Sequence, residues 1–302
     1  MKIETAVCLQ TTVFRVRSRG SQKTQLFQAV SRMKRSERAK EGYILLFEAF
    51  GKLSKFTLLA VIPVIVDGLS VLLGVALHGF HGSAHITLKL ALQMGLPSIS
   101  AVTEQGFMPG SVQIAGGGAI NSSSLLSILF YLALFLVVQS FLQGGYVGLL
   151  HDAANGRRLS MERFVAYGGR FFGRFLLLDI LVMIVLFVLG GIATTTLKML
   201  GVIVFMIIFL LLRVQFLYLE FTLVGDDCSI SEAFTRSLDA FRRRTPNTLP
   251  LVGVTLVINL VAGLLVNMLW LPFIFFVLLV VYDIVCAVLQ LAFMHEYRRI
   301  QM

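Results

Sequence analysis

Six apolar runs dominate this sequence, and each is long enough to cross a lipid bilayer as an α-helix. About 20 apolar residues in helical form span the hydrocarbon core of a membrane. The runs are Phe56–Phe80, Ser123–Gly145, Phe171–Leu197, Gly201–Gly225, Leu249–Leu269 and Leu271–Phe293. Only 14% of the residues are charged, whereas about 25% is usual in soluble proteins. The sequence therefore predicts an all-α, polytopic transmembrane bundle, with a tight hairpin at Trp270 and Pro272 joining the last two spans.

The distribution of Lys and Arg predicts the orientation of this bundle. Residues 1–55, 146–175, 226–248 and the C-terminus hold 23 basic residues, whereas the intervening connections hold two. Basic residues accumulate in the cytoplasmic loops of membrane proteins. Both termini are therefore predicted to be cytoplasmic, in the inner (cytoplasmic) membrane of a bacterial cell.

Residues 1–43 form a predicted basic cytoplasmic arm, and 44–302 form the transmembrane domain, including an external loop over 81–122. The arm carries five basic residues around an apolar helical stripe: Arg32, Lys34, Arg35, Arg38 and Lys40. This pattern suits a helix lying on anionic membrane lipids. The alternative is a solvated arm that only fixes orientation. A nucleic-acid partner is not expected, because no aromatic platform accompanies the basic residues.

Two cytoplasmic loops, Asp152–Phe175 and Asp227–Leu251, share one pattern: a polar turn, a short amphipathic helix, then a span. In the second, Ser229 and Glu232 fit a capping box, and Glu232 is spaced to pair with Arg236. In the first, Ser160 is expected to start a helix whose inward residues are Met161, Phe164 and Val165. Both helices are predicted to rest at the inner membrane face. Whether the two units form a parallel internal repeat remains open.

These cytoplasmic segments carry a resemblance. Residues 221–238 read FTLVGDDCSISEAFTRSL, after GRRLS at 156–160 and GGRFFGRF at 168–175. Together they resemble the six-helix membrane domain attached to some bacterial glycerophosphoryl diester phosphodiesterases, and related stand-alone membrane proteins. The resemblance covers roughly residues 45–297 and implies a fold and a membrane location. It does not imply catalysis, because the sequence shows no soluble phosphodiesterase domain.

Five ionisable residues lie within the predicted spans: Asp67, Asp179, Arg213, Glu220 and Asp283. Each costs about 2.5–3.5 kcal/mol at mid-helix on an insertion scale, so such residues usually face the bundle interior and form pairs. Counting residues along each helix places Asp67, Arg213 and Asp283 near the midplane, and the other two in the inner third. Arg213 is predicted to pair with Asp283, with Asp67 as second partner. The cluster is either a polar conduit or proton relay, or a structural ion pair.

His78, His81 and His85 are spaced i, i+3 and i+7 at the outer end of the first span. On a continuous helix this spacing would gather three imidazoles, which are ligands for zinc or copper. Gly79 and Gly82 interrupt them, so an ordinary helix end is preferred and no cofactor is predicted.

The external loop and the glycine pairs carry structural predictions. Between His85 and Met94, apolar and other residues alternate, which predicts a strand with one apolar face. The loop is expected to cap the outer face as a hairpin or to lie on the lipid surface, and disorder is the alternative. The spacings Gly144–Gly148 and Gly169–Gly173 are typical of closely packed membrane helices.

Three functions remain open. The sequence has no G-x-S-x-G, H-E-x-x-H or phosphate-binding Gly-rich motif, so an enzyme is not expected. The first hypothesis is a transport or membrane-homeostasis protein with a polar path through the bundle. The second is a non-catalytic scaffold or regulator, whose cytoplasmic amphipathic helices bind a protein partner or a second copy. The third is an intramembrane lipid-handling enzyme.

Overall fold

A computed structural model of the protein describes residues 51, 56–80, 83–87, 92–103 and 122–301. In these residues the helices are α1 (Leu58–His78), a 3₁₀ helix (Ile99–Ala101), α2 (Ser122–Ala154), α3 (Met161–Gln215), α4 (Leu219–Gly225), α5 (Ile230–Met268) and α6 (Pro272–Gln301). Six stretches are long and apolar enough to cross a membrane. The predicted all-α bundle is therefore confirmed. The basic arm over 1–43, with Arg32, Lys34, Arg35, Arg38 and Lys40, lies outside the described residues.

Helix α3 contains two spans that turn back on each other at Lys198. This residue has non-helical backbone angles, φ 51° and ψ −131°. A Cβ placed on Gly190 would lie 3.4 Å from the ring of Phe205, so the segments on either side of the turn pack together. The fourth span then runs from Leu200 to Gly225, through a short break between α3 and α4. The predicted connection at Lys198 is confirmed.

A tight turn joins α5 and α6, as the sequence predicts. Helix α5 ends at Met268 and α6 begins at Pro272, a position where proline costs no helical hydrogen bond. Trp270, in the turn, stacks on Phe80 with ring centroids 4.8 Å apart and meets Phe275 edge-on at 5.4 Å. These contacts tie the hairpin to the outer end of α1.

Helices α2 and α3 approach closely because glycines of α2 face aromatic rings of α3. A Cβ on Gly145 would lie 2.8 Å from Phe164, and one on Gly148 would lie 2.3 Å from Tyr167. The predicted packing role of Gly144 and Gly148 is therefore confirmed. In the part of the chain that the structure describes, Gly169 and Gly173 have no neighbour within 4 Å of such a Cβ. That part of the prediction is wrong, because α3 turns residues 164, 168, 171 and 175 toward the bundle instead.

The two amphipathic segments that are predicted to be cytoplasmic differ in how they join their spans. The capping box of α5 is present: Ser229 Oγ accepts the N–H of Glu232, and Glu232 Oε2 accepts that of Ser229. A kink at Arg244 separates the amphipathic part of α5 from its span. Ser160 also caps its helix, but α3 continues into the third span without a break near its start.

The predicted inward face of the α3 start is only partly correct. Phe164 is buried, as expected for a residue that packs on α2. Met161 and Val165 are each 55% exposed. The bundle therefore contacts this helix along a narrower stripe than the three residues together implied.

Part of the loop over 81–122, which is predicted to be external, lies inside the bundle. Residues 92–103, here called the re-entrant segment, bury Leu92, Met94, Leu96, Ile99 and Val102. Asn267, near the outer end of α5, accepts the backbone N–H of His85 with its carbonyl and donates its side-chain amide to the Val102 carbonyl, both at 3.0 Å. Asn267 thus binds the chain both before the re-entrant segment, at His85, and near the end of the segment, at Val102.

The strand predicted over 85–94 is wrong where the structure describes it, since residues 83–87 and 92–94 contain no strand. Where the structure describes the pattern, Ile86 is 75% exposed whereas Leu92 and Met94 are buried, so its apolar residues do not share one buried face. A surface cap is likewise wrong for residues 92–103. Irregular backbone at membrane depth is tolerated only inside protein or beside a water-filled cavity, and the contacts of this segment show how its polar groups are satisfied.

Candidate functional site

Two clusters of polar side chains lie inside the bundle, and the re-entrant segment contacts both. The ion-pair cluster consists of Arg213, Glu220 and Asp179. The acid cluster consists of Asp67, Asp283 and Tyr146. All five predicted intramembrane residues therefore belong to one or the other, although the pairing within them differs from the prediction.

Arg213 pairs with Glu220. Its Nη2 atom lies 2.6 Å from Glu220 Oε1, and its Nε–H donates to the backbone carbonyl of Leu92 at 3.1 Å. The predicted pair of Arg213 with Asp283 is therefore wrong. Arg213 and Glu220 are seven residues apart, and the chain keeps both on one side as it passes from α3 to α4. The partner of Arg213 therefore lies seven residues further along the same span, whereas the estimate from depth had placed it on α6.

Asp179 completes the ion-pair cluster. Ser140 of α2 donates its hydroxyl to Asp179 Oδ2 at 2.7 Å. The carboxylate also interacts electrostatically with Glu220 and Arg213. Arg213 thus interacts with both Glu220 and Asp179. The hydroxyl of Ser140, on a third helix, stabilises Asp179 by a hydrogen bond.

Asp67 binds the re-entrant segment from the opposite cluster. Its Oδ2 atom accepts the backbone N–H of Ile99, the first residue of the 3₁₀ helix. Only 4% of Asp67 is exposed. A carboxylate at this position satisfies an N–H that the short helix leaves without an internal partner. The contact fixes the innermost part of the segment to α1.

Asp283 has a different environment. It is 0% exposed, and neither carboxyl oxygen has a hydrogen-bond partner among the described residues. The Tyr146 hydroxyl is also fully buried without a partner there. Both groups lie within electrostatic reach of each other, and Asp283 also interacts with Asp67. The acid cluster thus holds two buried acids: Asp67 is bonded by the Ile99 N–H and the Ser98 side chain, whereas Asp283 has no partner among the described residues.

Several residues of the site escaped prediction from the sequence. Tyr282 donates its hydroxyl to Asn259 Oδ1 at 3.1 Å and lies 3.5 Å from Gln93 Oε1. That oxygen of Gln93 also accepts the N–H of Ser98 at 3.1 Å. Uncharged polar residues in apolar spans gave the one available signal, since each needs a partner in lipid. For Tyr146 the one signal in the sequence was its position between Gly145 and Gly148.

The rim at the starts of α3 and α5 repeats one arrangement in the two segments that the sequence paired. Buried Asp152 accepts from Arg163 at 3.0 Å and from Tyr167 at 3.2 Å. Asp226 accepts from Arg236 at 3.1 Å and from a tyrosine of α6 at the same distance. Arg236 was predicted to pair with Glu232, but Glu232 is engaged in the helix cap. In each segment the arginine thus follows the acid that it binds, eleven residues after Asp152 in the first and ten after Asp226 in the second.

Asp227 links the two cytoplasmic turns. It adopts a positive φ of 49° and accepts from Arg174 at 2.6 Å and Arg170 at 2.5 Å. The hydrogen bond from Arg174, reinforced by Arg170, holds the pKa of this carboxyl below its usual range. Both guanidiniums lie over the ring of Phe171 at 5.5 Å. This contact is exposed and belongs to the rim, not to the interior clusters.

The histidine prediction is only partly accessible to the structure. His81 and the side chain of His78 lie outside the described residues. His85 places Nδ1 2.8 Å from the carbonyl of Ser83. In the part of the chain that the structure describes, no three His, Cys, Asp or Glu residues are grouped to hold a metal ion. The preferred interpretation, an ordinary helix end, agrees with α1 ending at His78, and a metal site at these histidines stays an untested alternative.

Comparisons with known proteins give no relative of this chain from which a role for the site could be transferred. No protein-family model matches the chain. Neither the curated proteins nor the solved structures give a match. The resemblance to the membrane domain of glycerophosphoryl diester phosphodiesterases therefore stays a prediction. The fold and the spans define an integral membrane protein with six apolar helices.

Proposed function

We propose that this protein is a membrane transport protein, in which a small polar solute or ion passes along the re-entrant segment. The observation that carries the proposal is the anchoring of irregular backbone between two charged clusters. Arg213 holds the Leu92 carbonyl and Asp67 holds the Ile99 N–H. Transporters place their substrate and ion sites where unwound backbone meets charged groups near the bilayer midplane. A scaffold that only binds partners at its surface has no need of such a costly interior.

The orientation forms part of this proposal, with both termini in the cytoplasm and residues 81–122 outside. The distribution of basic residues supports it. Reporter fusions at residue 302 and within 100–120 are expected to report opposite sides of the membrane. Signals from the same side would refute the arrangement of six spans, whereas reversed signals would refute only the orientation.

Cysteine accessibility tests whether water reaches the re-entrant segment. In a background with Cys8, Cys228 and Cys286 replaced, we expect Ser98→Cys in whole cells to react with a small, membrane-impermeant thiol reagent. The Ser98 side chain is half-buried and bonds to Ser100 and Asp67, so its reaction shows that water reaches the segment beside the acid cluster. The matched control is Thr222→Cys, a buried hydroxyl residue of α4 bonded to its own helix.

The control is expected to stay unreactive until the protein is denatured. If Ser98→Cys is equally unreactive in the folded protein, the bundle is sealed. That result would refute a transport path and favour the scaffold hypothesis, in which partner binding is tested at the amphipathic part of α5.

A further inference from the structure

The two acids of the acid cluster differ in what stabilises their charge. Asp67 accepts a backbone N–H from Ile99, whereas Asp283 has no donor among the described residues. Arg213 is engaged with Glu220 and Leu92. The titratable groups that face Asp283 are Asp67 from α1, Tyr146 from α2, and Tyr282 and Cys286 on its own helix. None of these is a cation.

An isolated ionised carboxylate in an apolar interior is so unfavourable that the group takes up a proton instead. A second carboxylate nearby adds like-charge repulsion, which also favours protonation of one member of the pair. The backbone donor favours the charged form of Asp67. The hydrogen bonds to Asp67 therefore favour its charged form over that of Asp283, which is fully buried without a donor in the described residues.

We propose that Asp67 and Asp283 form a proton-binding site that controls the re-entrant segment. The pair carries one proton, held on Asp283 while Ile99 is bound to Asp67. Transfer of that proton from an Asp283 oxygen to an Asp67 oxygen leaves the charge of the pair at minus one. The neutral Asp67 is then a weaker acceptor for the N–H of Ile99, because hydrogen bonds to ionised groups are roughly twice as strong as neutral ones.

Proton position would thereby set whether the segment stays bound to α1. The link to solute movement rests on the proposed transport function, but proton binding by the pair does not. A metal ion is a poorer occupant, because hard cations need about six oxygen ligands. In the described residues no group of three acidic or other ligating side chains is available for one.

Chemical labelling of the full-length protein in detergent tests the site directly. An apolar carbodiimide reacts with protonated carboxyl groups: the carboxyl oxygen bonds to the carbodiimide carbon, and the proton goes to its nitrogen. At neutral pH we expect mass spectrometry to find the adduct on Asp283, with labelling that falls as pH rises. Asp227 is the matched control, since it is exposed and ionised beside two arginines, and is expected to remain unlabelled.

Addition of NaCl at fixed pH is expected to leave the labelling of Asp283 unchanged. Protection by Na⁺ but not by choline would overturn the proposal in favour of a sodium site, and labelling of Asp67 in place of Asp283 would overturn the assignment of the proton. Infrared spectroscopy supplies a measurement that does not depend on reagent access. The wild type is expected to show a protonated carboxyl band that Asp283→Asn lacks.

Absence of both the band and the adduct in folded protein would refute the proton site. The two proposals fail separately: an unreactive Ser98→Cys with a labelled Asp283 refutes transport alone, and the reverse pattern refutes proton binding alone. Asp283→Asn keeps the volume and the neutral state of the side chain. It is therefore expected to fold, which gel filtration of the purified variant verifies.

Discussion

Replacing Arg213 by alanine is expected to destabilise the folded protein by about 3–5 kcal/mol, the cost of breaking a buried ion pair from one side. Glu220 is only 3% exposed, and its Oε2 atom already has no partner in the described residues. Without the guanidinium, Glu220 and Asp179 would face each other with no cation. The Leu92 carbonyl would also lose its donor, so the first residue of the re-entrant segment would be held less firmly.

Paired substitutions identify the partner of Arg213. Arg213→Leu with Glu220→Leu is expected to cost much less than Arg213→Ala, because removing both charges leaves no buried ion unpaired. Arg213→Leu with Asp283→Leu also removes one acid together with the guanidinium, but should not recover stability. Unfolding of the purified variants in mixed micelles measures each difference. Recovery by the Asp283 change in place of the Glu220 change would contradict the observed pairing.

Gly148→Val is expected to destabilise the protein by about 3 kcal/mol, at the upper end of the usual cost of overpacking. A Cβ at this position would lie 2.3 Å from Cγ of Tyr167 and 2.6 Å from its Cβ. The ring cannot easily move away, because its hydroxyl bonds to buried Asp152 and its face stacks on Phe171. Helices α2 and α3 would have to separate.

Gly169→Val provides the matched control on α3. A Cβ there meets no atom within 4 Å, so the same unfolding measurement should show little change. Equal losses for the two variants would mean that valine harms these helices through a general effect, and the close contact at Gly148 would not be the cause.

The parts of this protein that the sequence predicted correctly depend on residues close together in the chain. The spans follow from continuous apolar runs, because a helix in lipid must bury every backbone polar group within itself. The turn at Pro272 and the capping box at Ser229 and Glu232 follow from neighbouring residues in the same way. The charged residues of the site can also be identified from the sequence, since a charge in an apolar span is easily recognised and energetically costly.

The tertiary structure decided which of these residues meet. Depth along a helix places Arg213 and Asp283 at one level, but it does not give the direction in which each side chain points. Successive helical residues differ by about 100° in direction. A difference of one residue is therefore enough to place Gly168 against α2, where the sequence had predicted Gly169.

The re-entrant segment shows the same limit most clearly. The alternation between His85 and Met94 satisfies a two-faced strand and an irregular chain enclosed by helices equally well. Only the packing of α1, α2, α3, α5 and α6 creates the interior that this segment fills. The sequence by itself thus determined what crosses the membrane and which residues are costly there. The folded bundle decided their partners, because those contacts join residues on different helices.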